Sequence, residues 1–231
     1  MGRITLFLGF SLLCSACADI QPIEDQRVYG PVTTIKDWFT SVSVLPYSDG
    51  VVLFDAGFRK GAIEKGLERQ GFTPDDVTHV FITHGHGDHI GALSLFPNAI
   101  RLGLAAEQAH IEAESDGEQT LDETLVDGTL MSFDRVQVET IALPGHTEGN
   151  AAYRVDNVVL LGDSALVTGD GRITPVAEKR SDDPAEASAS LAGLYLRLEK
   201  TVPAVDWLVP AHSGGVEGLD ALRAFSDTHS P

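Results

Sequence analysis

Thr83-His84-Gly85-His86-Gly87-Asp88-His89 is the stretch on which the reading of this chain turns. Four of its seven residues, His84, His86, Asp88 and His89, carry side chains that bind divalent cations. They follow an apolar run at 77–82 that reads as a buried strand. A turn after a strand lets side chains two apart face one centre, so His84 and His86 can share an ion. The chain then curves away, so Asp88 and His89 can face a second ion. Gly85 and Gly87 leave the tight loop unobstructed. Imidazole and carboxylate without sulfur suit Zn²⁺, with Fe and Mn as alternatives.

Working outward, three more apolar runs each end in one further ligand-type residue. His146 closes Leu143-Pro144-Gly145-His146, Asp163 closes Leu160-Leu161-Gly162-Asp163, and His212 closes Val209-Pro210-Ala211-His212. Seven such residues at the ends of apolar segments point to a two-metal hydrolytic site. The other histidines of the body, His79, His110 and His229, read as structural or exposed. Asp170, Asp182 and Asp183 read as turn and helix-cap residues.

Strand-like runs fall at 32–35, 41–45, 51–54, 77–82, 100–104, 136–143, 151–155, 158–161 and 205–209. Helical spacing falls at 60–70, with Gly71 as the stop, and at 90–95, 105–114 and 219–225. Asp183-Pro184 is a helix-start signal, and that helix is expected to reach about Lys200 with Leu191, Leu194, Tyr195 and Leu198 inward. The segment 168–180 is expected as a loop over the site. Trp38 and Phe39 are candidates either for the substrate wall or for the core. Strands mixed with helices, and ligands at strand ends, predict two sheets with helices on their outer faces.

This ordered set of motifs resembles the metallo-β-lactamase superfamily of hydrolases. The resemblance runs over residues 28–225, through Asp55-Ala56-Gly57, the loop from His84 to His89, His146, Asp163 and His212. It implies an α+β fold, a four-layer αββα sandwich with the metal site at one edge between the sheets. It further implies that His84, His86 and His146 hold one ion, that Asp88, His89 and His212 hold a second, and that Asp163 bridges them. Two Zn²⁺ per chain are the expected cofactors. Water shared by the ions would be the nucleophile, with Asp88 orienting it and carrying a proton, and with Asp55 holding the loop by hydrogen bonds. The implied reaction is hydrolysis of a small ester, thioester, lactone or amide.

Departures from the subfamilies narrow the choice. Metallo-β-lactamases proper lack a bridging aspartate at the Asp163 position. Familiar acyl-homoserine lactonases place a tyrosine where Leu166 stands, and flavodiiron proteins a glutamate where His86 stands. Glyoxalase II-type thioesterases share the whole ligand set but add a C-terminal helical domain, whereas this chain ends soon after His212. A β-lactamase-like hydrolase, a mononuclear iron enzyme like the persulfide dioxygenases, and a metal-binding protein without turnover stand as alternatives.

The chain has 231 residues and a formal net charge of -18, from 34 acidic and 16 basic residues. Such a balance argues against a nucleic acid as partner and leaves a small-molecule substrate. Arg3 followed by an apolar run at 4–13 reads as an export signal. Ala16-Cys17-Ala18 permits cleavage after Ala18. Cys14-Ser15-Ala16-Cys17 alternatively resembles a lipobox, with Cys14 replacing the usual large aliphatic residue and Cys17 taking the lipid. Either reading places the protein outside the cytoplasm, in the periplasm or lipid-anchored, with no other membrane contact. Residues 19–27 are expected as a tether and 28–231 as the folded domain. Cys14 and Cys17 are the only cysteines, so the body can form no internal disulfide and offers no thiolate ligand. Nothing in the sequence sets an oligomeric state.

Overall fold

The computed structural model describes residues 19–229. The export signal read from residues 1–18 lies outside the described residues. Among those described, no helix is long and apolar enough to cross a membrane.

Residues 28–125 build one seven-stranded sheet in sequence order: β1 (Val28–Tyr29), β2 (Val32–Asp37), β3 (Thr40–Tyr47), β4 (Gly50–Phe54), β5 (Val77–Phe81), β6 (Ile100–Leu104) and β7 (Glu123–Leu125). The later chain builds a six-stranded sheet from β8 (Leu130–Phe133), β9 (Val136–Ala142), β10 (Ala151–Val155), β11 (Val158–Gly162), β14 (Trp207–Pro210) and β15 (Val216–Glu217). Between β11 and β14 the short pair β12 (Leu166–Val167) and β13 (Ile173–Thr174) forms a separate ribbon. The helices are α1 (Lys60–Arg69), α2 (Gly87–Ile90), α3 (Gln108–Glu114), α4 (Pro184–Leu198) and α5 (Asp220–His229).

The period of two along each strand generates the layers. In β4, Val51 and Leu53 face outward onto Ile63 and Leu67 of α1, while Val52 and Phe54 face the other sheet. In β11, Val158 and Leu160 join that inter-sheet core with Phe81 and Tyr153, while Val159 and Leu161 face Leu191, Leu194 and Leu198 of α4 and Phe225 of α5. Three apolar cores between four layers make the expected αββα sandwich. Both sheets read as near-continuous apolar runs because each is covered on both sides. Asp183 caps α4, its carboxylate accepting from Glu186 N at 2.9 Å with Pro184 in the first turn, as its sequence announces. Leu191, Leu194 and Leu198 are buried and Tyr195 half-buried, the inward face the spacing predicts.

Several elements differ from the sequence reading. The helix expected at 90–95 begins earlier, inside the ligand loop: the carbonyl of His86 accepts from His89 N and Ile90 N at 2.9 and 3.2 Å, forming α2. The chain then turns, because Ala92 N bonds to Gly57 O, and Leu93–Leu95 is a separate 3₁₀ turn. The edge strands β7 and β8 were not expected, since Glu123-Thr124-Leu125 and Leu130-Met131-Ser132-Phe133 carry too little apolar alternation over too few residues. The run at 205–209 pairs only from Trp207. Residues 19–22, read as part of a tether, lie against the body. Gln21 N bonds to Val167 O, Gln21 O accepts from Gly214 N, and Ile20 bridges to Thr168.

Arg197 on α4 ties the outer helix to its sheet, reaching Glu139 of β9 at 2.8 Å and also Asp127. Burial opposes ionisation of Glu139, but Arg197 and Arg154 outweigh it and hold the carboxyl below its ordinary value of 4.5. A lowered folded-state value adds stability that is present above the unfolded value and lost as pH falls through the folded one. Arg197→Met is therefore expected to lower stability by about 1 kcal/mol near pH 7, with a difference that shrinks below about pH 4. Urea unfolding of both proteins across that range checks it; a difference independent of pH would refute it.

Candidate metal centre

Every candidate ligand stands at or just past the end of a strand. β5 delivers the loop from His84 to His89, the β9–β10 connection delivers His146, β11 delivers Asp163 and β14 delivers His212. The tight approach depends on two glycines. A side chain at Gly85 would come within 2.8 Å of the backbone nitrogen of Ile111. Gly162 has φ +50°, and a Cβ there would lie 2.8 Å from the side chain of Thr83.

The seven residues converge in two sets. His84 Nε2, His86 Nδ1 and His146 Nε2 lie 2.9–3.2 Å from one another. A tetrahedral zinc with bonds of about 2.0–2.1 Å places its nitrogens about 3.3 Å apart, so this triangle is close to one face of such a site. Asp88, His89 and His212 form the second set, with Asp88 Oδ2 3.2 Å from His212 Nε2 and 3.6 Å from His89 Nε2. Asp163 stands between the two. Its Oδ1 is 3.2 Å from His89 and 3.1 Å from His212, while its Oδ2 is 3.5 Å from His146 and 4.0 Å from His84.

The donor set fits divalent cations. Asp163 Oδ1 and His89 Nε2 are both buried without a hydrogen-bond partner of good geometry. Each such atom costs about 1–3 kcal/mol when left unsatisfied, and a cation between them removes that cost. Burial holds the rings of His84 and His86 below the ordinary histidine value and His146 down to about 4, so these nitrogens keep their lone pairs at neutral pH. In the second set burial also disfavours charge, but the carboxylates win. Asp163 and Asp88 push His212 up to about 9, and Asp55 and Asp163 raise His89 well above its ordinary range. A cation entering there displaces those protons.

A further shell of groups orients the rings. Asp55, which closes β4, has φ 64°, a backbone region costly for a non-glycine residue. From it the carboxylate accepts from Thr83 N at 2.8 Å and faces His89 Nδ1 at 2.7 Å. The Nδ1 of His212 lies 2.8 Å from the carbonyl oxygen of Phe39. Each contact commits Nδ1 and turns Nε2 toward the centre.

Two acidic residues were not singled out in the sequence. Glu107 is 1% exposed, and its carboxylate accepts from Gly85 N (2.7 Å), Thr147 Oγ1 (2.7 Å) and Gly149 N (3.0 Å). It thus binds the His84–His86 loop to the His146 loop. Asp37, fully buried, accepts from Phe58 N and Arg59 N at 2.7 and 2.6 Å. By doing so it sets Phe58 beside Phe39. His110, expected only as a structural residue, stands edge-on to His86 with ring centres 5.0 Å apart and its Nδ1 3.5 Å from Glu107. His79, also expected as structural, packs edge-on against Phe133.

The centre opens into a cavity of about 380 Å³ lined by Phe39, Phe58, Glu114, Arg180 and the ligand-type residues His86, Asp88, His146, Asp163 and His212. Phe39 belongs to its wall and not to the core, 40% exposed and stacked on His212, and Trp38, 64% exposed, stands edge-on to Phe39 with ring centres 5.0 Å apart.

Comparison with known proteins adds the following. The family described as the metallo-beta-lactamase superfamily matches residues 35–214. A hydroxyacylglutathione hydrolase of Mesorhizobium japonicum is 29% identical over 130 residues, 55% of this chain and 48% of that protein. Metallo-beta-lactamase domain-containing protein 1 of Xenopus laevis is 28% identical over 179 residues, 74% of this chain and 70% of its own. The match thus spans about half the length of the hydroxyacylglutathione hydrolase. Among solved structures, a B3 metallo-beta-lactamase with an active-site glutamic acid superposes with TM-score 0.66 at 20% identity, over 91% of this chain and 88% of its own.

Proposed function

We propose that this chain, which belongs to the metallo-beta-lactamase superfamily, is a dinuclear zinc hydrolase that cleaves a small thioester or ester outside the cytoplasm. The observation that carries the reading is Asp163, whose two oxygens face two separate sets of nitrogen and oxygen donors. The relatives named as hydroxyacylglutathione hydrolases support a thioester over a lactam. Export rests on the apolar start of the sequence alone.

His84, His86 and His146 would hold one cation, Asp88, His89 and His212 the other, and Asp163 both. Cations held there supply Lewis acidity and bring the pKa of water toward neutrality. The chain's own groups then have distinct tasks. Asp88 is half-buried, borders the cavity and lies 3.2 Å from His212 Nε2. Burial opposes its ionisation, but His212 and His89 hold its carboxyl below the usual range, so it stays an acceptor at neutral pH. It is therefore placed to align the attacking water and to pass a proton to the departing group. Phe39 and Phe58 exclude bulk water from one side, which strengthens every charge interaction inside.

Asp88→Asn tests the reading. The variant is expected to fold, to keep at least one cation per chain, and to lose about 10²–10⁴-fold in kcat on a short acyl thioester. Elemental analysis beside a panel of thioesters, lactones and a chromogenic cephalosporin checks it. Unchanged turnover in the variant would refute the role given to Asp88, and a wild-type protein with two zinc ions and no turnover on any member would refute the hydrolase. Preference for the cephalosporin would move the substrate to the lactams.

A further inference from the structure

We propose that the substrate is amphipathic, with an aliphatic chain lying in a groove beside the metal centre and an anionic group on Arg180; the inference rests on the hydrolase reading and names its substrate class. A second cavity of about 520 Å³ adjoins the first, sharing Phe39, Arg180 and His212. Beyond those three its lining is apolar: Ile20, Leu166, Val176 and Ala177. Pockets that bury small ligands have this volume and this makeup, apolar walls with one or two polar groups.

The walls are built, not incidental. Leu166 projects from the β12–β13 ribbon, which Ser213 Oγ ties to the β14 end by accepting from Val167 N at 2.9 Å. Ile20 is held at the mouth by the backbone pairing of Gln21 with Val167 and of Ile20 with Thr168. Ile20 is 42% exposed and Phe39 40% exposed, so apolar surface faces water along the groove. An apolar chain would cover it and continue straight to the reacting centre past the Phe39–His212 stack.

Arg180 supplies the other half of the ligand. It closes the 3₁₀ turn Glu178–Arg180, is exposed, and among the described residues pairs with no carboxylate, although acidic residues outnumber basic ones by 34 to 16. Glu114 lines the metal cavity, whereas the residues that line the groove include no acid. An unpaired guanidinium where an apolar groove meets a hydrolytic site is suited to a carboxylate.

Two sets of probes test this. Calorimetry with the chelator-stripped protein uses butyrate and octanoate, which cannot be hydrolysed. Octanoate is expected to bind at least about tenfold tighter, since each methylene buried in an open groove is worth about twofold, half of its full transfer value. With the zinc-loaded protein, S-acyl 3-mercaptopropionates from acetyl to octanoyl are expected to rise in kcat/KM by on the order of 50-fold, at the same twofold per methylene. Leu166→Gln and Ile20→Asn, both at partly exposed positions, are expected to lower kcat/KM far more on the octanoyl than on the acetyl compound and so to flatten the series. Arg180→Gln is expected to remove an advantage of about tenfold over the matching 3-mercaptopropionamide thioesters. Equal binding of the two acids, a flat series in the wild type, or equal loss on charged and neutral thioesters in Arg180→Gln would each overturn the proposal. If even the acetyl thioester is untouched while octanoate still binds preferentially, the hydrolase reading fails and the groove stands.

Discussion

Asp163→Asn is expected to lower kcat/KM by at least about 10³-fold and to leave the protein with one cation per chain or none. The carboxylate is 6% exposed and sits between His89 and His212 on one oxygen and His146 and His84 on the other. Burial favours its neutral form, yet the neighbouring histidines hold its pKa well below the ordinary range. An amide of the same shape removes the negative charge that both sets share. It also brings an N–H₂ group against the cation position, where only a lone-pair donor fits. Elemental analysis and steady-state kinetics on a short thioester check this. Two equivalents of zinc with near-normal turnover would show that the two sets do not work through Asp163.

Glu107→Gln should have the second-largest effect, though the residue contacts none of the candidate ligands' coordinating atoms. Its carboxylate receives three donors, from Gly85, Thr147 and Gly149, which belong to the two loops that carry His84, His86 and His146. A glutamine offers one acceptor oxygen there, and its amide must confront at least one of those donors. The expected cost is about 1–3 kcal/mol in unfolding free energy. Cation affinity should fall by about 10–100-fold, the usual consequence of loosening groups behind a ligand. Urea unfolding and competition with a chromophoric chelator measure the two, with the exposed Glu118→Gln as a control expected within about 0.5 kcal/mol. A variant that keeps its affinity while losing stability would limit Glu107 to a structural role.

The layered fold and the convergence of seven residues were legible because both follow from local pattern. Runs such as Val51–Phe54 and 158–161 are apolar on both faces and must lie between layers. The candidate ligands follow four such runs, β5, β9, β11 and β14, whose ends converge on one edge. Glu107 and Asp37 were not legible, because nothing within a few residues marks them. Their partners lie 22–42 and 21–22 residues away, and only the tertiary fold supplies those donors. The polar composition of 19–22 reads as a linker, yet backbone pairing with Val167 needs no side-chain pattern. Likewise the helical turn α2 is four residues long, below the length at which periodicity carries information.

Among the described residues the chain passes from one sheet to the other only once, at residues 126–129, where Val126 is 69% exposed. Four of the seven candidate ligands precede that crossing and three follow it, so the centre is a seam between two consecutive parts of the chain. Polar links span the seam at many points, among them Thr147 Oγ1 to Glu107 at 2.7 Å, Tyr153 Oη to Ile82 O at 2.7 Å and Ser41 Oγ to Ala211 O at 3.1 Å. Both cysteines precede this body, so no disulfide joins its two parts, and cations held there would add cross-links to those polar bonds. Nicking the polypeptide at that crossing would yield two fragments, neither with a full donor set, whose reassembly zinc should drive, turning the protein into a split reporter of the free metal.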